Sequence, residues 1–384
     1  MRPVIRQIAL CLHPSPEFVT PMANGVADYL AGREDWSIYT PVRMSAGLRK
    51  SLSQWSGDGL ICSVLTEADR RFARELSVPV VNVAGALPDP GVPSVIGDDA
   101  AVGDAAASHL RERGFHHAAV LGWHGAHFAR SRAEVFERLW REAGGVCHAL
   151  TPLNELCRVN RSEQLVMLGE QLRELPGPVA IFGVFDGLAH LVIDGCHQAR
   201  LRVPEDVAVL GVDNSPTICT LSNPPLSSIS QHIRRRGRLA AELLDGLLAG
   251  ASAPTEPLRV PPDGVITRRS TDMVAVADES VRDALRYISN HVADSPDVDA
   301  VAEGVAMSRR TLERRFRQAM GRTIYDQIRH VRLERAKTLL TTTERLLTEV
   351  AMDSGFRSSS DLSNLFHRHV GMSPSEYRRR FTTR

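Results

Sequence analysis

S-R-R-T-L-E-R-R-F-R-Q-A-M-G (308–321) and S-S-S-D-L-S-N-L-F-H-R-H-V-G (358–371) are two copies of one pattern, fifty positions apart. Ser308, Leu312, Phe316 and Gly321 fall on Ser358, Leu362, Phe366 and Gly371, and Thr323 falls on Ser373. Each copy supplies a hydroxyl to cap a helix, apolar residues four apart on one face, and a Gly to stop it. A short apolar helix and a tight turn precede each copy, over Val301–Met307 and Leu346–Phe356. Short helix, turn and capped second helix make a helix-turn-helix unit. Two such units in one small domain predict a protein that reads two adjacent stretches of one DNA groove. A long helix expected over Ile324–Leu340 joins them. Its ~16 residues span roughly 24 Å, so the two outer helices can lie about one DNA turn, ~34 Å, apart.

The helical period assigns the faces. In the first unit Leu312, Phe316 and Ala319 turn inward, leaving Arg310, Glu313, Arg314 and Arg317 for the groove. In the second, Leu362, Leu365, Phe366 and Val370 turn inward, leaving Ser360, Ser363, Asn364 and His367. Arg suits guanine O6 and N7, Asn suits adenine N6 and N7, and each good bidentate pair discriminates by roughly 1–3 kcal/mol. Arg309, Arg322, Arg357 and Arg368 sit at helix ends and turns, where phosphate contacts supply affinity. Surface Arg residues often do no more than solubilise a helix. The duplicated framework argues against that reading here.

The 384 residues are too many for one ordinary core and imply two or three domains. With 43% hydrophobic and 24% charged residues the chain is of soluble globular type. No run of about 18 apolar residues is present, and the N-terminal stretch lacks the form of a signal peptide. A cytoplasmic protein with no membrane contact is expected. The six Cys residues form no C-x-x-C pair, and Cys62, Cys196 and Cys219 in apolar segments read as small core hydrophobes. The net charge of +1 conceals a split. Residues 280–384 carry 19 Lys and Arg against 13 Asp and Glu, whereas residues 1–279 carry 27 against 32. A mildly acidic body with a basic tail domain is the balance expected of a DNA-binding regulator.

The first 270 residues alternate short apolar strands with amphipathic helices. Strands are expected at 8–12, 36–39, 59–64, 80–83, 118–122, 179–182 and 207–212. Helices are expected at 18–31, 48–55, 67–76, 100–113, 130–143, 162–175, 186–199 and 236–248. Apolar runs buried on both faces, alternating with helices, indicate parallel sheets. So many units call for two sheets, hence two lobes and a cleft. Ligands of open parallel sheets sit beyond the C-terminal strand ends, which singles out His13, Asp98, Asp99, Trp123, His124, Phe185, Asp186, Asp213 and Asn214. Arg268–Asp272 reads as a polar junction. That places a sensing domain at 1–270, a linker at 271–279 and an all-helical domain at 280–384, with Asp278–Ser280 capping its first helix.

The C-terminal hundred residues resemble the AraC/XylS-type DNA-binding domain, on the stretch 308–321, on V-A-M-D-S-G-F (350–356), and on the run closing in G-M-S-P-S-E-Y (371–377). The first 270 resemble the sugar-binding core of LacI/GalR-type repressors. That likeness is carried by W-S-G-D-G-L-I-C (55–62), V-P-V-V-N-V (78–83), A-S-H-L-R-E-R-G-F-H-H-A-A-V-L-G (107–122), V-P-E-D-V-A-V-L-G-V-D-N (203–214) and L-S-S-I (226–229). Together they imply a two-lobed, type I periplasmic-binding-protein-like α/β domain followed by an all-α domain with two helix-turn-helix units. The fusion order, with V-P-P-D-G-V-I-T-R-R-S-T-D (260–272) at the seam, is similar to that of bacterial xylose operon activators. The resemblance implies a homodimeric activator that binds double-stranded DNA, responds to a small sugar such as D-xylose, and engages RNA polymerase.

Sugar hydroxyls call for carboxylates and amides, with aromatic faces against the C–H side of the ring. Asp186 and Asp213 have the placement and the chemistry, and both match pocket positions in the resemblance; the plainer alternatives are a helix N-cap and a turn residue. Arg132 matches an arginine that approaches the ligand in that family. Asp99, Phe185 and Asn214 complete the set, Asp98 being equally able to cap the helix after it. His13, Trp123 and His124 are weaker candidates. The stretch H-P-S-P-E-F (13–18) departs from the usual loop after the first strand. No G-x-G-x-x-G follows a strand, and neither P-loop nor G-x-S-x-G elbow occurs. His116–His117 and His124/His127 have no neighbouring carboxylate or Cys and make a poor metal site. No cofactor is expected. An α/β enzyme with an autoregulatory DNA-binding tail, or a ligand-free DNA-binding dimer, are the competing readings.

Overall fold

The expected apolar runs and five further short segments make twelve strands among the described residues. In chain order they are β1 (Arg6–Cys11), β2 (Trp36–Tyr39), β3 (Gly59–Cys62), β4 (Val80–Asn82), β5 (Val95–Gly97), β6 (His117–Leu121), β7 (Val146–Ala149), β8 (Val179–Gly183), β9 (Val207–Val212), β10 (Ser227–Gln231), β11 (Leu258–Val260) and β12 (Pro262–Ile266). The computed structural model describes residues 5–13, 15–40, 46–272, 278–320 and 322–381. One lobe is built on a parallel sheet in the order β2-β1-β3-β4, with β5 and β11 paired beside it. The other holds six strands, β12-β10-β9-β8-β6-β7, parallel except where β12 runs against β10. The chain passes between the lobes three times, after β5, after β10 and between β11 and β12.

Central strands β8 and β9 are buried at every residue, as strands covered by helices on both faces must be. Phe136, Trp140 and Phe182 stack in the core of the six-stranded lobe, while helices Pro16–Leu30 and Ile233–Leu248 pack together over the first sheet. The expected core thiols Cys62, Cys196 and Cys219 are all buried. Sequence periodicity missed β5, β7, β10, β11 and β12, because three to five residues of mixed polarity carry too little period to read. The helices expected at 130–143 and 236–248 start three residues earlier, at His127 and Ile233. Among the described residues no helix is long and apolar enough to cross a membrane.

From Glu279 the chain is helical. Asp278 accepts from the amides of Ser280 and Val281 and so caps the first helix, Glu279–Asn290. The duplicated pattern forms Val298–Gly304 with Arg309–Met320, and Leu347–Asp353 with Ser359–Val370. Ser308 Oγ accepts from the Thr311 amide (3.4 Å), Ser358 Oγ from the Asp361 amide (3.1 Å), and Gly371 stops its helix at φ 77°. The matching stop at Gly321 lies outside the described residues. Ile324–Thr342 is the connecting helix. Its first half gives Ile324, Ile328 and Val331 to a core with Leu312 and Phe316, and its second half gives Leu333, Ala336 and Leu340 to a core with Leu362 and Phe366. Ala319 is exposed, contrary to the expected inward face. Met320 packs on that core instead, being the residue that continues the four-residue step from Leu312 and Phe316.

The polar junction Arg268–Asp272 is packed against the second lobe, with Ser270 and Thr271 fully buried. The Ser270 hydroxyl donates to Val209 O and accepts from the Ser227 amide; the Thr271 hydroxyl donates to Ser227 Oγ. These polar side chains replace the hydrogen bonds the strand end would otherwise lose. Part of the expected linker, residues 273–277, lies outside the described residues. Ile266 on β12 is counted in the core of the second helix-turn-helix unit, and Thr338 Oγ1 donates to Thr267 O, so that unit is docked on the second lobe.

Candidate functional site

A cavity of about 470 Å³ lies between the lobes, where the C-terminal ends of β1, β3, β6 and β8 and the starts of their helices face one another. Its centre is Arg132, which is buried on the helix His127–Glu142. The guanidinium donates from Nε to Asp99 Oδ1 (2.8 Å) and from Nη1 to Val184 O (2.8 Å), and Asp213 Oδ1 lies 3.9 Å from Nη1. One cation thus faces two carboxylates. Gln231 on β10 donates from Nε2 to the same Asp213 oxygen. Asp213 has φ 103°, a backbone strained for any residue with a Cβ, which turns its carboxylate into the cleft.

Arg236, on the helix Ile233–Leu248, is the second cation. It donates to Val83 O (2.7 Å), lies over the Phe18 ring at 5.3 Å, and keeps a buried Nε–H with no partner among the described residues. Gln231 Oε1 lies close over Gly97, where a Cβ would stand 2.8 Å from it. The apolar wall is aromatic. Trp123 meets Phe128 and Phe185 edge-on, with centroids 6.1 Å apart in both pairs, and Arg132 lies over Phe128. Charged hydrogen-bonding groups opposite flat aromatic faces suit a small polyhydroxylated ring.

Of the residues singled out in the sequence, Asp99, Arg132, Phe185 and Asp213 come together around this cavity, joined by His13 and Trp123. Asp98 caps the helix after β5 by accepting from the Ala101 amide. Asn214 points away and accepts from Arg268 Nη2 (2.7 Å), and the His124 amide is held by Asn154 at 2.7 Å. Neither lines the cavity. Asp186 is neither an N-cap nor a cavity group. Its carboxylate sits behind the wall, accepting from Ser228 Oγ (2.6 Å), the Ser215 amide (2.7 Å) and Cys219 Sγ (3.4 Å). Glu17, Phe18, Phe128, Gln231 and Arg236 were missed. Glu17 and Phe18 follow β1 in the 13–18 stretch, whose departure from the usual loop was the available signal, whereas Gln231 and Arg236 flank a passage between the lobes.

Burial, with the Asp213 charge nearby, pushes the Asp186 carboxyl up to about 7. The folded protein therefore holds a proton that the unfolded chain has released above about pH 4. Stability from this group is full below that pH and is lost as pH rises to about 7. Asp186→Asn should flatten that dependence, so that thermal denaturation at pH 5 and pH 8 differs less in the variant than in the parent. An undiminished difference would contradict this assignment.

The helices Arg309–Met320 and Ser359–Val370 carry the side chains expected to face a DNA groove. Arg309 is tied to Asp299 (2.8 Å) and Glu313 (3.0 Å), so it and Glu313 are partly neutralised in place. Arg310, Arg314 and Arg317 flank a shallow depression with Gln318 and Tyr325. In the second unit Ser360, Asn364, His367 and Arg368 are exposed and Ser363 is half-buried. A basic helix surface on one unit and a polar one on the other leave the two chemically unequal.

Residues 107–271 match the periplasmic binding protein-like domain family, and residues 301–380 match a helix-turn-helix domain family. The xylose operon regulatory protein of Escherichia coli K12 is 31% identical over 383 residues, covering 97% of this chain and 96% of its own. The arabinose operon regulatory protein of the same strain is 38% identical over 102 residues, covering 26% of this chain and 35% of its own. Among solved structures, the xylose-binding transcription activator xylR superposes with a TM-score of 0.69 at 29% identity, covering 100% of both chains.

Proposed function

The chain belongs to the family of xylose operon regulatory proteins, and from that premise we propose that its interlobe cavity takes D-xylose or a closely related pentose. It is a sugar-responsive transcription regulator with an AraC-type DNA-binding unit, and not an enzyme. The observation that carries the ligand reading is Arg132 held between Asp99 and Asp213 beneath an aromatic wall. Those three residues, with Gln231, Arg236 and Phe185, are our ligand set; Asp186 and Asn214 support it from behind. Isothermal calorimetry of the full chain against a panel of pentoses and hexoses tests it. Saturable binding of a pentose supports the reading, and no heat with any sugar at millimolar concentration contradicts it.

Residues 1–270 act as the sensor and 280–384 as the reader in this proposal. A homodimer places two readers on one promoter, where the regulator recruits RNA polymerase as an activator in the cytoplasm. Arg310, Arg314 and Arg317 reach base edges, with Ser360, Ser363, Asn364 and His367 in the second unit. Arg309, Arg322, Arg357 and Arg368 steady the phosphates, with Glu313 orienting Arg309. Arg314→Ala should weaken promoter binding by about 1–3 kcal/mol and relax preference at one base pair. Fluorescence anisotropy on a set of single-base promoter variants reads both effects, and an unchanged preference profile would remove Arg314 from the base-reading set.

The sugar acts through differential affinity. A ligand that contacts both lobes binds the closed arrangement more tightly and shifts the population toward it. Gln231, a cavity residue, ends β10. That strand pairs with β12, and Ile266 of β12 is embedded in the core of the second reader unit. A change in lobe angle therefore reaches the reader through one pair of hydrogen-bonded strands.

A further inference from the structure

Glu17 lies in the stretch after β1 and belongs to the first lobe, but its carboxylate bonds to the second. Oε2 accepts from Ser15 Oγ (2.6 Å), which fixes the side chain. Oε1 accepts from Ser215 Oγ (3.0 Å), just beyond β9. The direction of that bond is set chemically. Ser215 Oγ also accepts from the Ile218 amide (3.3 Å), so its single proton is free for Glu17. Ser215 is buried, and its amide is held by Asp186, whose other oxygen takes Ser228 of β10. The next residue back, Asn214, accepts from Arg268 at the seam with the reader. A contact made in the cleft is thus one residue from the junction that carries the DNA-binding unit.

We propose that Glu17 is a cross-lobe latch, a positioning residue whose bond to Ser215 sets the closed angle of the lobes and sharpens the response to the effector. The proposal rests on reading the interlobe cavity as the effector site. Lobe closure brings the cavity walls and this pair together in one movement, so the free energy of the latch adds to that of the ligand. Ser15, Glu17 and Phe18 all line the cavity, so this stretch brings a carboxylate to the rim. Removing the carboxylate loses the charge-assisted hydrogen bond across the cleft, together with the Ser15 bond that fixes the side chain, and should weaken effector binding about tenfold.

Hydrogen–deuterium exchange on the full chain tests the latch without any sugar. Glu17→Ala should speed exchange of the Ser215, Ile218 and Cys219 amides across the cleft, and Ser215→Ala should speed exchange at 17–20, which its own helix cap does not reach. Glu17→Gln, keeping an acceptor oxygen, should fall between parent and Glu17→Ala. Unchanged exchange in the first helix-turn-helix unit, whose core contains no sensor residue, marks the variants as folded. If neither substitution alters protection on the opposite lobe, the latch is overturned. Adding D-xylose then separates the two ideas. A parent that binds no sugar sinks the effector reading, while the sugar-free exchange still decides the latch.

Discussion

Arg132→Ala should abolish the sugar response and destabilise the sensor. Arg132 is only 4% exposed, and its guanidinium offsets Asp99, which is itself buried, and faces Asp213. Removing one partner of such a set leaves carboxylate charge in a poorly solvated site, at a cost of about 3–5 kcal/mol. At about 2–4 °C per kcal/mol for a domain of this size, the sensor's melting temperature should fall by ~10 °C. Lysine should not restore it, because a single ammonium cannot serve Asp99 and Val184 O with the same planar fork. Thermal unfolding with calorimetry on the same samples checks both halves. A variant that melts like the parent and still binds sugar would show that Arg132 is peripheral.

Ile266→Ala should uncouple the two halves. Ile266 is 3% exposed and leaves the sensor's last strand to join Leu333, Leu362, Phe366 and Tyr377. Truncating a buried Ile to Ala costs about 2–5 kcal/mol, part of it from the cavity left behind. Here that cavity opens at the joint between sensor and reader. Sugar affinity should stay near the parent value, since Ile266 lies away from the cavity, while the effect of sugar on DNA affinity should fall by several fold. Equal sugar-dependence of DNA binding in variant and parent would mean that the signal travels by another route.

The reader half was legible because duplication doubles every signal: Leu312 with Leu362, Phe316 with Phe366, and Ser308 with Ser358 reinforce one another, and the cores form around them. Ala319 shows where that logic stops, for a small residue at the edge of an apolar stripe has too little surface to be drawn inward. In the sensor, long apolar strands such as β8 and β9 were readable and short edge strands were not. Asp99, Arg132 and Asp213 could be found because they follow strands or match a resembled motif. Gln231 and Arg236 could not. They flank the chain's second passage between lobes, so their position depends on tertiary geometry that no local pattern encodes. Asp186 stands apart from the cavity for a related reason: its position at a helix start suits a ligand group, but Ser215, Cys219 and Ser228 surround its carboxylate on the far side of the wall.

The most direct test is the affinity of the full-length protein for its promoter DNA, measured by fluorescence anisotropy at fixed salt with and without saturating D-xylose. A population shift driven by cleft closure should tighten DNA binding by roughly tenfold, a coupling of about 1.4 kcal/mol, and by reciprocity the DNA should tighten sugar binding by the same factor. Identical DNA affinity in the presence and absence of every pentose and hexose tried would contradict the account.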